Sequence, residues 1–475
     1  MTDKSMGGLA LDAIDANTNM SVGRTSIQEQ KPSKHGEVGN GASLQGTKAT
    51  YNAAPRTTTY EFMGPPGAFI ISLLVIFFTY FFGLACDERG CPPLPFVPYM
   101  KNGIREMQTS QFWIELWDGK AALAYVGWYT WTVVCWAVLP GKWVEGSQLR
   151  NGERLLYKIN GLKTLFASMA VTAFVLCAYG TPPFLFIYDH WVGIVTASLA
   201  VSFIQATYSY YVSFMPGIML AEGGNSGNLI YDWFIGRTLN PRIGSFDIKT
   251  FNELRPGLIL WLILNTAMAV KQYSLLGRIT DSMVLVLLFQ ANYVFDSMYN
   301  EAAIFTTMDI VTDGFGFMLS FGDISWLPFT YGLQTRYLAI FPKDLGWLRI
   351  LAILGVNITG YYIFRVSNGE KNDFRNGKNP KNLTSMKTER GTDLLTSGWW
   401  GRSRHPNYLG DWIMAWAWCL PTGFSTPLTY FYVVYFAILL LHRQMRDDEA
   451  CHKKYGKDWV QYCKIVKWRI VPGLY

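Results

Sequence analysis

What most constrains this chain is a series of apolar stretches, each close to a bilayer-spanning length, that begins at residue 67 and repeats almost to the C-terminus. A helix needs roughly 20 mostly apolar residues to cross the hydrocarbon core. Stretches of that kind cover residues 67–85, 121–139, 162–179, 191–211, 258–276, 283–299, 315–337 and 348–364. After a polar break comes 412–441, interrupted by Pro421, Gly423 and Pro427. One straight helix does not carry those breakers, so this last stretch is expected to be a partly inserted hairpin. The expected fold is all-α: a polytopic membrane protein with about ten transmembrane helices, the last two a broken hairpin.

Charge placement agrees with this division. The cations Lys31, Lys34, Lys48 and Arg56 precede the first stretch. Others fall in the 140–160 loop (Lys142, Arg150, Arg154, Lys158), the 222–256 loop (Arg237, Arg242, Lys249, Arg255), the 365–404 loop and the C-terminus. All of these lie on one side of the proposed layer, and the opposite turns are short. The positive-inside bias then puts both termini in the cytosol. The Asn382 sequon is therefore expected to stay unmodified, because glycosylation belongs to the lumen.

Composition narrows the function classes. With 50% hydrophobic and only 16% charged residues, the chain is too apolar for an ordinary soluble protein. Its 18 Trp and 27 Tyr suit membrane boundaries. The net charge of +7 has its source in membrane-flanking loops, so nucleic acid is excluded as a partner. Residues 1–58 are polar and aperiodic, and are expected to form a disordered cytosolic tail. Gly36, Gly39 and Gly41 resemble a dinucleotide loop only superficially, since no strand precedes them and no helix follows. The seven Cys lack metal-site spacing, so no metal is expected. Cys86 and Cys91 either form a disulfide or remain two unrelated thiols. Cys135, Cys177 and Cys419 read as small apolar side chains.

Polar groups inside a membrane are costly and are candidates for function. Tyr293, Asp296 and Asn300 share one helix face by their three- and four-residue spacing, and Glu301 follows. A phenol beside a carboxylate suits proton delivery inside an apolar pocket. Hydrogen bonding between helices is the alternative role for the same groups. Further on, Lys371 and Arg375 stand one turn apart and suit a phosphate. The turn GWWGRSRHPNYLGD, residues 398–411, concentrates Trp399, Trp400, Arg404, His405, Asn407, Tyr408 and Asp411. Cations beside aromatic faces fit a nucleotide, with a boundary belt as the alternative for Trp399. The stretch from residue 440 to 463 repeats the theme with His442, Arg443, Arg446, Asp447, Lys453, Lys454, Tyr455 and Tyr462. Part of it is a solvated face, as the Glu449 and Lys453 pair illustrates.

These residues carry a resemblance. GNLIYDWFIGRTLNPR (227–242), NEAAIFTTMDIVTDGFGFMLSFGD (300–323), LLTSGWWGRSRHPNYLGDW (394–412) and LLHRQMRDDEACHKKYGKDWVQYC (440–463) look like the sterol reductase family. Within it, the blocks are most similar to the C14 (delta-14) branch and to the reductase-like half of the lamin B receptor, with 7-dehydrocholesterol and C24(28) reductases close by. Ala302 stands where the C14 pattern has a second Glu, and the PGLY terminus is similar to the C7 branch.

The resemblance implies a multi-pass enzyme of the endoplasmic reticulum membrane, with residues 59–475 as the sterol reductase domain and 365–475 as its cofactor-binding part. It implies NADPH and a sterol as ligands and leaves the oligomeric state unknown. Carried over by position, the cofactor residues are Lys371, Arg375, Leu395, Trp400, Asn407, Tyr408, Asp447, Cys451, His452, Lys453, Lys454, Tyr455 and Tyr462, with Arg404, His405 and Arg446 as neighbours. Tyr293 is the expected proton donor, supported by Asp296 and Glu301. The implied reaction protonates C15 of a C14=C15 double bond and then adds hydride at C14; C7 and C24(28) double bonds are alternative targets. The RHPNY motif also resembles isoprenylcysteine methyltransferases, but that reading leaves the LNPR and TTMDI blocks unexplained. A non-catalytic, sterol-binding scaffold of the nuclear envelope is the remaining alternative.

Overall fold

Each helix begins or ends where the sequence changes its backbone chemistry. The computed structural model describes residues 52–85 and 109–475. Residues 1–51, with their glycine-rich stretch, and the Cys86 and Cys91 pair lie outside the described residues. In chain order the principal helices are α1 (Gly64–Leu84), α2 (Gly119–Val138), α3 (Gly161–Tyr179), α4 (Trp191–Val212), α5 (Ile248–Leu276), α6 (Asp281–Tyr299), α7 (Leu333–Ile340), α8 (Trp347–Arg375), α9 (Pro406–Cys419), α10 (Phe431–Tyr455) and α11 (Lys457–Ile465). Proline occupies the first turn of α1 and of α9, where no intrahelical N–H is needed. Asp118 caps α2 by accepting from the Lys120 and Ala121 N–H groups at 2.8 and 3.3 Å. Thr280 and Asp247 cap α6 and α5 in the same manner.

Among the described residues, seven helices are long and apolar enough to cross a bilayer: α1 to α5, α8, and the Leu428–Tyr455 segment that contains α10. The other expected segments take different forms. α6 is a helix of 19 residues, but Gln290, Asn292, Asp296 and Ser297 dilute its apolar character. The 315–337 segment is broken into Phe317–Phe321, a π-helical turn Gly322–Trp326, Leu327–Thr330 and then α7. The expected hairpin is broken where its prolines predicted, with a 3-10 turn at Leu420–Thr422 between α9 and α10. α9, at 14 residues, is about 21 Å long and shorter than the hydrocarbon core.

The all-α expectation needs one correction. The 140–160 loop is an antiparallel hairpin of β1 (Lys142–Gln148) and β2 (Arg154–Ile159), and shorter ribbons occur at 242–247 and 385–395. The strand-favouring Trp143, Val144, Tyr157 and Ile159 on either side of the Asn151-Gly152 turn are a hairpin signal inside a stretch read only for its charge.

α5 is the hub. Of its most apolar window 67% is buried, against 22% for α2 and α3, which therefore face lipid along most of their surface. Leu123, Val138 and Phe174 point outward accordingly. Cys177 is exposed on this outer surface, whereas Cys135 and Cys419 are buried as expected. Where helices meet, small residues allow close approach: a Cβ on Gly193 of α4 would stand 2.8 Å from the Ala121 Cβ of α2.

The basic loops share one end of the helical layer. Arg255 at the start of α5 donates to the Lys158 carbonyl at 2.9 Å, and Arg242 donates to that of Leu156 at 3.2 Å. Residues 53–58, expected to belong to the tail, are docked on the same end. The Leu220 N–H bonds to the Ala53 carbonyl at 2.9 Å, and Thr57 and Asn225 bond to each other. The opposite end is closed by short links such as Arg278 to Asp344 at 2.6 Å and Lys343 to Ser425 at 2.9 Å.

Candidate active site

α8 and α9 cross at glycines. A Cβ on Gly410 would stand 2.5 Å from the Phe364 nitrogen and 2.7 Å from the Gly360 oxygen, so no side chain fits there. The crossing lays α9 along the α8 face that carries Asn357, Tyr361, Phe364, Ser367 and Lys371, spaced three or four residues apart.

Past the crossing, the SGWWG turn folds back onto the same helix. Buried Glu370 accepts the Trp399 N–H at 2.9 Å and pairs with Lys381 at 3.0 Å. Gly398 makes the turn at φ +66°, a conformation other residues rarely adopt. The Trp400 indole N–H donates to the Ser367 carbonyl at 2.7 Å, and the Lys371 Nζ stands 4.2 Å from its ring centre. Because α8 continues unbroken through Arg375, Lys371 and Arg375 do share a helix face, with Arg375 exposed at the final residue. Leu395 is buried in the ribbon that pairs Ser385–Lys387 with Asp393–Leu395.

The start of α9 is tied to α10. The Tyr408 hydroxyl donates to Asp447 at 3.0 Å, and the His405 ring stacks on Tyr408 with 4.7 Å between centres. Asn407 is fully buried beside them. Arg404 donates to Asp448 at 2.8 Å, and that carboxylate also accepts the Trp459 indole N–H at 3.0 Å. Backbone N–H groups of Arg404 and His405 bond to the Trp468 and Arg469 carbonyls at 2.9 Å, so the C-terminal stretch laces the turn in place. Lys371, Asp447 and Lys454 all lie within electrostatic reach of Cys451, which brings α8 and α10 to a common place.

The rest of the expected cofactor set divides by helix face. Asp447 is buried and Cys451, Lys454 and Tyr455 are half-buried, while His452 and Lys453 are exposed. Tyr462 of α11 is buried, its ring stacked on Trp459 at 5.1 Å. Arg446 is committed elsewhere, pairing with Asp313 at 2.7 Å and with Glu61 at 3.0 Å. Burial pushes the Glu61 carboxyl above its ordinary range, and Arg446 pulls it part of the way back.

Tyr293 and Asp296 line a recess between α6, α8 and α9, together with Asn357, Tyr361, Phe364 and Trp418. The Tyr293 ring meets Trp418 edge-on at 5.0 Å. Asp296 is ion-paired with Arg365 and accepts the Tyr361 hydroxyl at 3.1 Å. Asn300 caps α6 by donating to the Asp296 carbonyl at 2.8 Å, so it is not part of a shared polar stripe. Glu301 is not in the recess either. It pairs with Arg255, accepts the Gly161 N–H at 2.7 Å and lines a separate cleft with Tyr157 and Lys158. Burial raises its pKa and Arg255 opposes the shift. The reason is geometric: residue 301 lies past the end of α6, where the chain turns toward the start of α3.

Sequence reasoning passed over two features. Arg443 forms a buried ion pair with Asp309 of the TTMDI block, and the signal was available, since two charges in apolar contexts each need a partner. Asp411 is 8% exposed on α9, one turn beyond Asn407 and on the same face as Met414 and Trp418 of the recess. It was quoted within the motif and given no role.

Comparison with known proteins identifies the family. Residues 56–475 match the model of the ergosterol biosynthesis ERG4/ERG24 family. The delta(14)-sterol reductase erg24 of Schizosaccharomyces pombe is 50% identical over 421 residues, covering 88% of this chain and 97% of its own length. The delta(14)-sterol reductase ERG24 of Saccharomyces cerevisiae is 44% identical over 445 residues, covering 89% and 99%. That of Candida albicans is 45% identical over 445 residues, covering 89% and 98%. With a family match that begins within the docked N-terminal stretch and runs to residue 475, the chain belongs to the ergosterol biosynthesis ERG4/ERG24 family.

Proposed function

We propose that the chain reduces the C14=C15 double bond of a sterol biosynthesis intermediate, using NADPH, in the endoplasmic reticulum membrane with both termini cytosolic. The observation that carries this reading is the shared face of α8. Tyr361 and Phe364 line the Tyr293 recess, and Lys371, about 10 Å further along the helix, sits on Trp400. One wall of the proposed donor's recess and part of the proposed nucleotide surface are thereby carried on one helix. The relatives named as delta(14)-sterol reductases supply the choice of double bond.

The residues present suit the cofactor. Lys371 and Arg375 suit phosphates, Trp400 and Tyr408 offer flat faces, and Asp447 offers an acceptor, with residues 365–475 as the cofactor-binding part of a domain spanning 59–475. Leu395, Cys451, Lys454, Tyr455 and Tyr462 border the same surface, while His452 and Lys453 would reach it only from the outer face of α10. When bound, NADPH supplies the hydride. An isolated alkene does not accept hydride, so an acid must act first. Tyr293 would give its phenolic proton to C15, leaving a tertiary cation at C14 for a bound cofactor's hydride. Asp296, held by Arg365 and Tyr361, fixes the polar edge of the recess. The aromatic walls exclude water that would otherwise trap the cation. The recess is narrow, closer in size to one water than to a sterol, so admitting a ring system requires its side chains to move apart.

The test is product analysis with the purified protein, NADPH and delta-14, delta-7 and delta-24(28) sterols side by side. Saturation at C14 with NADPH is the expected result. Methyl transfer without reduction would favour the methyltransferase reading instead. Tyr293→Phe should keep cofactor binding and lower kcat by about 10²-fold or more. Unchanged turnover would remove Tyr293 from the acid role.

A further inference from the structure

Tyr293 must regain a proton after every turnover, in a recess whose own acid, Asp296, is committed to Arg365. From the position of one buried acid we infer that Asp411 is the group that reprotonates it, a role resting on the reaction proposed above.

Asp411 lies on α9 between two sites. Asn407, Asp411, Met414 and Trp418 follow one another at spacings of four, three and four, which puts them on a single helix face. One end of that face is the Tyr408 and Asp447 cluster; the other is the wall of the Tyr293 recess. Asp411 is 8% exposed, and its Oδ1 is buried without a hydrogen-bond partner among the described residues. A carboxyl group in an apolar setting needs a reason to be there, because burial without a partner is costly. Two other acids near the site are paired, Asp296 with Arg365 and Asp309 with Arg443.

The charges around it come from every helix packed against α9. Tyr293 and Asp296 face it from α6, Arg443 and Tyr432 from α10, and Arg365 acts from α8 through Asp296. Of the two carboxylates near the Tyr293 phenol, Asp411 acts on it more strongly than Asp296 does. The proton count closes. The phenol O–H bond breaks as the C15–H bond forms, the Asp411 carboxyl then gives its proton to the phenolate, and water at the loop end returns one to the carboxylate. No electrons move in this relay. Asp411 acts through Tyr293 and is a positioning and supply residue.

The test uses the full chain in nanodiscs, with Asp411→Asn as the near-isosteric variant and Asp411→Glu as the rescue. Wild-type turnover of a delta-14 sterol with NADPH is the first arm, and its failure would sink the parent reading rather than this one. With that arm positive, Asp411→Asn should lower kcat about 10-fold or more while the sterol KM and the NADPH affinity stay within about twofold. The acid must carry its proton to deliver it, so wild-type kcat should fall as the pH rises through its titration. In Asp411→Asn that alkaline limb should be absent, and Asp411→Glu should restore part of the rate along with the limb. A wild-type kcat or an unaltered pH profile in Asp411→Asn would overturn the inference. So would parallel losses of NADPH affinity and thermal stability, which a purely structural acid would produce.

Discussion

The two halves of the helical layer are built by different rules. α2 and α3 are lightly packed helices whose surfaces mostly face outward, and lipid suffices to hold their apolar side chains. Their chemistry is generic, so composition and length specify them. α8 and α9 instead meet through glycine backbone contacts, α9 and α10 through the Tyr408 and Trp412 hydrogen bonds, and ion pairs tie α8 to α6 and α10 to the TTMDI block, each of which needs a particular residue. A membrane gives no hydrophobic drive for helix association, so the region that must hold a defined site has to make its own contacts.

The hardest break in this contrast should come at Glu301. It faces Arg255 where α5, α3 and the β1–β2 hairpin meet, and both side chains are almost fully buried. Glu301→Gln leaves a buried cation without its counter-charge, a loss of about 3–5 kcal/mol. The expected readout is a large drop in the thermal midpoint of the solubilised protein, with the sterol KM of the folded fraction near wild type. A selective fall in kcat with an unchanged midpoint would instead return Glu301 to the acid machinery.

A glycine pair sharpens the same comparison at smaller scale. Gly410→Ala forces a methyl against the α8 backbone, an overpacking that typically costs about 1–3 kcal/mol. Gly127, in the middle of α2, has nothing within 4 Å of its added Cβ, so Gly127→Ala should be neutral or slightly stabilising. Comparing their thermal midpoints checks the claim that only the inner half depends on backbone contact. Equal effects from the two would refute it.

The long apolar helices, the buried hub α5 among them, were the legible part of the fold. Apolar length located α1 to α5, and the prolines at 421 and 427 located the break between α9 and α10. The 315–337 stretch misled because its Phe and Leu residues stand out over Asp323, Pro328 and Arg336, while its backbone divides at a π-turn against α5, where a Cβ on Gly257 would lie 1.8 Å from the Asp323 carbonyl oxygen. Hydropathy does not register such backbone contact. In the site, the resemblance assigned Lys371, Trp400, Tyr408 and Asp447 to one cofactor set, and the structure has Lys371 on the Trp400 ring and the Tyr408 hydroxyl on Asp447; spacing by itself grouped Lys371 only with Arg375. It did not separate Glu301 from Tyr293, because helical periodicity stops carrying information one residue past the helix end. Nor did it reveal that Arg446 faces Asp313 and Glu61, since those partners lie far away in sequence.

The smallest effect belongs to Lys453, and it is informative because it is small. Its ammonium pairs with Glu449 at 2.7 Å on the exposed face of α10, with both side chains more than two-thirds accessible. Such i,i+4 pairs contribute about 0.2–0.5 kcal/mol in water, so Lys453→Gln should leave the thermal midpoint almost unmoved. The fold therefore cannot disguise what the substitution does to a ligand. If a phosphate of the cofactor reaches around to this face, NADPH affinity should fall severalfold, and the loss should shrink as salt screens the lost attraction. If affinity is unchanged, the nucleotide surface ends at the inward face marked by Asp447, Cys451 and Lys454, and Lys453 belongs to the solvated side of α10.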